Sequence, residues 1–297
     1  MGEKNLKSKR IIILGDSKGK DDGINKKILN KIFKQIKELK TQPEYIIHLG
    51  DSVAGSSDVR IFKYQIKEFH KLIEQYYPIN RLLPVLGNHE VNNKPKDFQG
   101  EEAFEECYSS IDVDNYLKGY HKTVYYKDFD NVRCIFLNSF HYGELFRITG
   151  RQLEWFRKVT KNLIPFKIVF VHLPIYPTGA HLTTCMDAYI EDRNTFLKAL
   201  EESNVSLVFC GHEHNYSRRL IGFNDKKIMQ IITGGAGEKL RNSYKDKKDV
   251  IVTPKPIYHY VILDIEEDNI RVRAVSLRKK VFDDFSVGIG DGSHIFI

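Results

Sequence analysis

Short runs of β-branched and aliphatic residues recur through roughly the first two hundred positions, each cut off by a turn bearing a carboxylate, an asparagine or a histidine and followed by an amphipathic stretch. Such alternation favours strands at the centre of the molecule with helices outside them. The pattern predicts strands near 10–15, 44–49, 81–86, 132–138, 166–172 and 205–210. Between them Ile24, Ile28, Ile32, Ile36 and Leu39 return at helical spacing, as do Val59, Phe62, Ile66, Phe69 and Ile73. Two further helices are expected over Gly150 to Leu163 and Ile190 to Ser203, and a short one near Glu101 to Tyr108. From about Lys226 onward strands follow one another without helices, at Ile228 to Thr233, Ile257 to Asp264 and Ile270 to Ser276, which predicts a second sheet packed on the first. Neither a low-complexity linker nor an internal repeat interrupts the chain, so one domain over residues 1–297 is expected.

The 297 residues, 41% of them hydrophobic, suffice for one large α/β core. No segment approaches the roughly 18 apolar residues needed to cross a bilayer. The start, Met1 to Asn5, leads through charged residues to Ile11–Leu14, a run too short for a signal peptide. Cys107, Cys134, Cys185 and Cys210 lack C-x-x-C spacing, which points to reduced thiols and a cytoplasmic location with no membrane partner. A net charge of +7 suits an anionic partner. Most lysines, such as Lys26, Lys27, Lys31 and Lys34, nevertheless fall on polar faces of predicted helices, where ordinary solvation accounts for them.

Chemistry concentrates at five predicted strand ends: Gly15-Asp16-Ser17-Lys18, Gly50-Asp51-Ser52, Gly87-Asn88-His89-Glu90, Val171-His172-Leu173-Pro174 and Gly211-His212-Glu213-His214. Functional groups in open α/β sheets collect at the carboxyl ends of strands, so the five tips are expected to converge on one sheet edge. A lone histidine or aspartate at a strand end is more often a cap or a surface group, whereas five such tips in one chain point to a metal site. Two hard dications a few ångströms apart need a shared carboxylate, for which Asp51 is the candidate. His212 and His214, two apart, either share a face or are split between neighbouring ions by a turn. Glu90 and Glu213 are read as exposed turn residues or as acceptors that orient histidine ligands.

The order GD, GD, GNHE, H and GHEH resembles the calcineurin-like metallophosphoesterases across nearly the whole chain. Gly150-Arg151-Gln152-Leu153-Glu154-Trp155, the extension Asn215-Tyr216-Ser217-Arg218 after the fifth tip, and Thr233-Gly234-Gly235-Ala236-Gly237 resemble the branch that includes purple acid phosphatase-like enzymes. The resemblance implies a four-layer αββα sandwich of two mixed sheets flanked by helices. It implies two divalent or trivalent ions, Mn, Fe or Zn, with Asp51 bridging them, Asp16 and His214 on the first, and Asn88, His172 and His212 on the second. His89 would be the catalytic histidine, and a metal-bridging hydroxide would attack a phosphomonoester or phosphodiester.

One position departs from this pattern. The family has D-x-H at the first tip, where this chain has Lys18, and the tyrosine that purple acid phosphatases use three residues after the bridging aspartate is here Ala54. An ammonium with an ordinary pKa of about 10.4 has no lone pair for a metal. Either the first ion takes an extra water, another residue fills the gap, or Lys18 turns to the substrate phosphate; a solvated surface lysine is equally consistent. His181, Arg147, Tyr176 and His141 are further candidates for substrate contact, on loops over the tips. A small phosphorylated substrate is the expected partner. A nuclease is the first alternative, although no aromatic and basic stripe supports it. A non-catalytic metal- or phosphate-binding module is the second, because of Lys18.

Overall fold

The computed structural model describes residues 9–223, 227–290 and 293–296; the leader Met1 to Asn5 and the boundary residue Lys226 lie outside them. In chain order the elements are β1 (Lys9–Leu14), β2 (Lys18–Asp21), α1 (Lys26–Lys37), β3 (Tyr45–His48), α2 (Val59–Glu74), β4 (Leu82–Pro84), α3 (Gln99–Cys107), β5 (Asn115–Tyr116), β6 (Tyr125–Phe129) and β7 (Val132–Leu137). They continue with α4 (Gly150–Val159), β8 (Phe166–Val171), α5 (Ile190–Glu202), β9 (Leu207–Cys210), β10 (Tyr216–Ile221), β11 (Ile228–Thr233), β12 (Val250–Lys255), β13 (His259–Ile265), β14 (Asn269–Ser276), β15 (Val281–Gly290) and β16 (Ser293–Phe296). The strands build two mixed sheets, one ordered β16-β15-β14-β13-β1-β3-β4 and the other β12-β10-β11-β9-β8-β7-β6-β5.

This corrects the expectation that the C-terminal strands form a sheet of their own. β13 pairs antiparallel with β1, so β13 to β16 extend the N-terminal sheet, while β10 to β12 extend the other. A run buried on both faces does not reveal which neighbour its backbone takes. Pro84 lies in β4, at the end of its sheet, where the lost N–H costs no ladder bond.

The two faces of each strand supply the layers. Along β1, Ile11 and Ile13 join Ile47, Leu49 and Leu83 in the core between the sheets, while Ile12 and Leu14 face the helices. The opposing sheet contributes aromatic rings to the same core: Tyr125 stacks on Phe136, Phe136 on Phe170 and Phe170 on Phe209, with centroids 4.4, 5.0 and 5.5 Å apart. Outside, α1 buries Ile28, Leu29, Ile32, Phe33 and Ile36, the helical stripe read from the sequence, and α2 buries Phe62, Ile66, Phe69, Leu72 and Ile73. At roughly 1.5–3 kcal/mol for each fully buried apolar side chain, these stripes hold the helices against the sheet. Asn25 caps α1 by accepting from Ile28 N and donates from Nδ2 to Gly237 O at 2.7 Å, tying the helix start to the glycine-rich turn after β11.

Three histidines outside the strand tips are buried in neutral form. Burial pushes His48 down to about 3, and His70 and His259 down to about 4. The unfolded chain takes up these protons below the ordinary histidine value of about 6.5, and the folded chain does not. Stability is therefore full above that pH and is lost as pH falls toward 4. We expect the melting temperature to drop between pH 7 and pH 5, and the drop to lessen in His70→Phe; a flat profile across that range refutes the assignment.

Candidate metal centre

The tips meet at a seam between the two sheets, not on one sheet edge as expected. Asp16, Asp51 and Asn88 follow β1, β3 and β4 of one sheet, and His172 and His212 follow β8 and β9 of the other. The strand exits bend through unusual backbone: Asp16, Asp51, His212 and His214 have φ of 61°, 53°, 70° and 50°. A left-handed non-glycine residue costs on the order of 1–3 kcal/mol, and such strain clusters where function requires it. Gly50 has φ 88°, and a Cβ there would lie 2.7 Å from His172 Nδ1. At Gly87 a Cβ would lie 2.4 Å from Asp51 Oδ1, so both positions exclude side chains to let the tips close.

Glu90 and Glu213 correct the reading of exposed turn residues or histidine orienters. Both are buried, at 2% and 0% exposure. Glu90 accepts from the backbone N–H of Asp51, Ser52 and Gly87 at 2.9, 2.8 and 2.9 Å and from Ser52 Oγ at 2.7 Å. Its carboxylate thus clamps the second tip to the third. Glu213 accepts from Thr178 N, Gly179 N and His181 N, which fixes the loop after β8 over the site.

Around Asp51 the side chains form two donor groups, Asp51, His172 and His212, and Asp16, Asp51 and His214. In the first, His172 Nδ1 meets Leu49 O at 2.6 Å; a carbonyl only accepts, so Nδ1 carries the proton and Nε2 presents its lone pair. Asn88 Nδ2 donates to Asn93 Oδ1 at 2.6 Å, which leaves Asn88 Oδ1 facing inward. His172 Nε2 stands 3.1 Å from Asn88 Oδ1, 3.2 Å from His212 Nδ1 and 3.5 Å from Asp51 Oδ1, and His212 Nδ1 stands 3.0 Å from Asn88 Oδ1. One proton on His212 serves only one or two of these acceptors. Ligands about 2.1 Å from a common ion lie about 3.0–3.4 Å from one another; three of these four separations fall in that range and the fourth is 3.5 Å, so this group fits a metal.

Electrostatics support the same reading. Burial holds His172 below the ordinary histidine value, and burial together with His172 holds His212 well below it, so both rings are neutral donors. Burial would raise the Asp51 carboxyl, yet the positive charge around it, with the Lys18 ammonium 2.7 Å from Oδ2, outweighs burial and keeps the group well below the usual range. Burial and the Asp51 charge push Asp16 well above that range.

The second donor group contains a protein cation. Lys18 is 8% exposed, and its Nζ donates to Asp51 Oδ2 at 2.7 Å, lies 3.5 Å from His214 Nε2 and 3.9 Å from Glu238 Oε2. The alternative of a solvated surface lysine is thereby removed. Burial opposes its charge, but Asp51 and Asp16 more than offset this and raise its pKa. His89 borders the same group, with Nδ1 donating to Ala54 O at 2.7 Å and Nε2 3.8 Å from Asp51 Oδ2.

Above these groups opens a cleft of about 460 Å³ whose walls include Lys18, His89, His181, Glu238 and Arg241. The His181 ring lies tilted against that of His212, with centroids 4.2 Å apart, and has a buried Nδ1 without a partner among the described residues. Arg147 is corrected: its guanidinium sits 4.6 Å over the Tyr189 ring and 3.7 Å from Asp192, away from the cleft walls. His141 is bound to buried Glu101 at 2.8 Å and Tyr176 packs against Arg193 and Arg219, so neither reaches the cleft. Glu238 and Arg241 escaped the sequence reading; the glycine-rich turn at 234–237 just before them was the available signal.

The calcineurin-like phosphoesterase family matches residues 9–216. Among solved structures, the purple acid phosphatase PPD1 from yellow lupin (Lupinus luteus) seeds superposes with a TM-score of 0.72 at 17% identity, over 95% of this chain and 54% of that one. PhoD gives 0.68 at 10% identity over 98% of this chain and 71% of that one. GAP50, described as the anchor in the inner membrane complex of Plasmodium, gives 0.61 at 16% identity over 96% and 90%. This chain spans about half the length of the lupin phosphatase, and likeness at such identities establishes the fold alone. No curated protein sequence matches the chain significantly.

The Glu90 clamp is testable. Removing its carboxylate in Glu90→Ala orphans three buried backbone donors, a loss we expect to be about 3 kcal/mol or more in urea unfolding. Ser52→Ala, which keeps the carboxylate, should cost about 1 kcal/mol or less; equal losses in the two variants refute the clamp.

Proposed function

The chain belongs to the calcineurin-like phosphoesterase family, and we propose that it hydrolyses phosphomonoester or phosphodiester bonds of a small phosphorylated substrate with bound metal. The observation that carries this reading is the convergence of Asp51 Oδ1, Asn88 Oδ1, His172 Nε2 and His212 Nδ1 within 3.0–3.5 Å at the floor of a cleft. Two donor groups sharing Asp51 support a dinuclear centre of Mn, Fe or Zn, as the sequence suggested. We read residues 1–297 as one catalytic domain, a reading supported by the pairing of C-terminal β13 with N-terminal β1. The free cysteines support a reducing compartment, the cytoplasm. No helix among the described residues is long and apolar enough to cross a membrane.

A bound ion supplies Lewis-acid polarisation of the phosphoryl group and an acidified water as nucleophile. The chain does the rest. His89, fixed through Nδ1 by Ala54 O, turns Nε2 to the cleft and, when protonated, gives a proton to the departing oxygen. Lys18 and Arg241 on the walls neutralise the phosphate oxygens, and His181 offers its free Nδ1 to them. Phe140 and Phe146 line one side of the cleft and displace water from it.

Asn88→Ala removes an oxygen donor from a loop and should abolish turnover of p-nitrophenyl phosphate or bis-p-nitrophenyl phosphate while leaving circular dichroism unchanged. Undiminished turnover takes Asn88 out of the site. For His89→Ala we expect a roughly 100-fold or greater fall in kcat with metal content retained, and loss of the metal instead would make His89 a ligand. A chain that cuts DNA robustly but neither chromogenic ester would make it a nuclease. One that binds metal and turns over none of these substrates would make it a binding module, the alternative that Lys18 raises.

A further inference from the structure

We propose that the Lys18 ammonium occupies the first of the two cation positions permanently, so that the protein works with one metal ion, held by Asp51, Asn88, His172 and His212, beside a built-in cation. The inference rests on the metal-dependent reading above and narrows it from two ions to one.

Space gives the first reason. An ion in the group of Asp16, Asp51 and His214 would sit about 2.1 Å from Asp51 Oδ2, the oxygen to which Lys18 Nζ donates at 2.7 Å. The backbone that carries the lysine is fixed beside that carboxylate. Ser17 N and Lys18 N both donate to Asp51 O, at 3.0 and 3.1 Å, and Ser17 Oγ donates to Ser52 O at 2.9 Å. The tip that carries the ammonium is thereby fastened to the tip that carries the carboxylate.

Donor chemistry gives the second reason. Arg241 Nε donates to His214 Nδ1 at 3.3 Å, and a guanidinium cannot accept, so Nδ1 spends its lone pair there. On the other side Nε2 stands 3.5 Å from Lys18 Nζ, which also only donates, so the one lone pair of the neutral ring faces a protein cation at either nitrogen and none is free for a metal. The His172 ring is fixed the opposite way by Leu49 O, with its inner nitrogen bare. One donor group is thus set to ligate, while the imidazole of the other is faced by protein cations.

Charge balance agrees. Lys18 and Arg241 already place two protein cations among Asp16, Asp51 and Glu238, so one dication makes the cleft positive enough for a phosphate and a second would add repulsion with no further carboxylate to offset it. An ammonium has three donors; one is spent on Asp51, and the others are available to Glu238 and to a phosphoryl oxygen.

The test is the metal content of the full chain, purified without chelator and then equilibrated with Mn²⁺ alone, read by elemental analysis and electron paramagnetic resonance. We expect one ion per chain with the spectrum of an isolated Mn²⁺. That ion should be lost in His172→Ala and kept in Asp16→Asn. In Lys18→His, which exchanges the cation for a donor, we expect two ions and a spin-coupled spectrum. Two coupled ions in the wild-type chain would overturn the inference and leave the hydrolase reading standing. A folded Lys18→His chain that still binds one ion would overturn it too, as would an ion that survives His172→Ala but not Asp16→Asn. No ion at all would bring down both readings, so the two fail distinguishably; because the wild-type measurement decides alone, a variant that does not fold leaves the test intact.

Discussion

The site depends on how Asp51 is held. Its N–H is taken by Glu90, its carbonyl oxygen accepts from Ser17 and Lys18, Oδ1 accepts from His89 N, and Oδ2 accepts from Lys18. An ionised carboxylate with essentially no exposure is stable only if paired and hydrogen-bonded on every side. Those partners come from two other tips, Ser17 and Lys18 from one and His89 and Glu90 from the other, so satisfying one buried charge draws the tips after β1, β3 and β4 into a single arrangement. The second sheet joins through His172, whose ring is aimed by Leu49 O, and through His212, whose N–H is taken by the Asp16 carboxylate at 2.9 Å.

Stability and function compete at this seam. Strained backbone at four of the six proposed ligands, neutral buried histidines and a carboxylate held off its ordinary pKa all cost folding free energy. They are offset by the apolar core between the sheets and by the helix stripes outside it. The two buried glutamates, Glu90 and Glu213, act as struts that replace water for loops which would otherwise leave several N–H groups unpaired.

Much of the architecture was legible in the residues. Helical stripes such as Ile28, Ile32 and Ile36 and the strand runs before each tip needed only periodicity, because a face that is apolar at a fixed spacing must be covered. Element ends shifted by a few residues; the run expected over 81–86, for instance, is a strand only at Leu82–Pro84, after a 3-10 turn at Ile79–Arg81. The grouping of strands into sheets did not follow, since β13 reads the same whether it borders β1 or begins a sheet of its own. Arg147 looked equivalent to Lys18 as a basic residue near a tip, and only side-chain direction separates the one on Tyr189 from the one on Asp51.

What the sequence by itself determined was the chemistry available: two carboxylates, an amide and three imidazoles for ligands at strand exits, and a lysine where a further ligand was expected. Those identities are chemical facts independent of folding. What only the tertiary structure decided was which lone pairs face one another. That depends on contacts reaching across the chain, between His172 and Leu49 O and from Arg241 and Lys18 to His214, which leave one imidazole bare toward its neighbours and the other facing protein cations. A ring nitrogen's role is set by the partner of its opposite nitrogen, and that partner has no fixed offset in sequence.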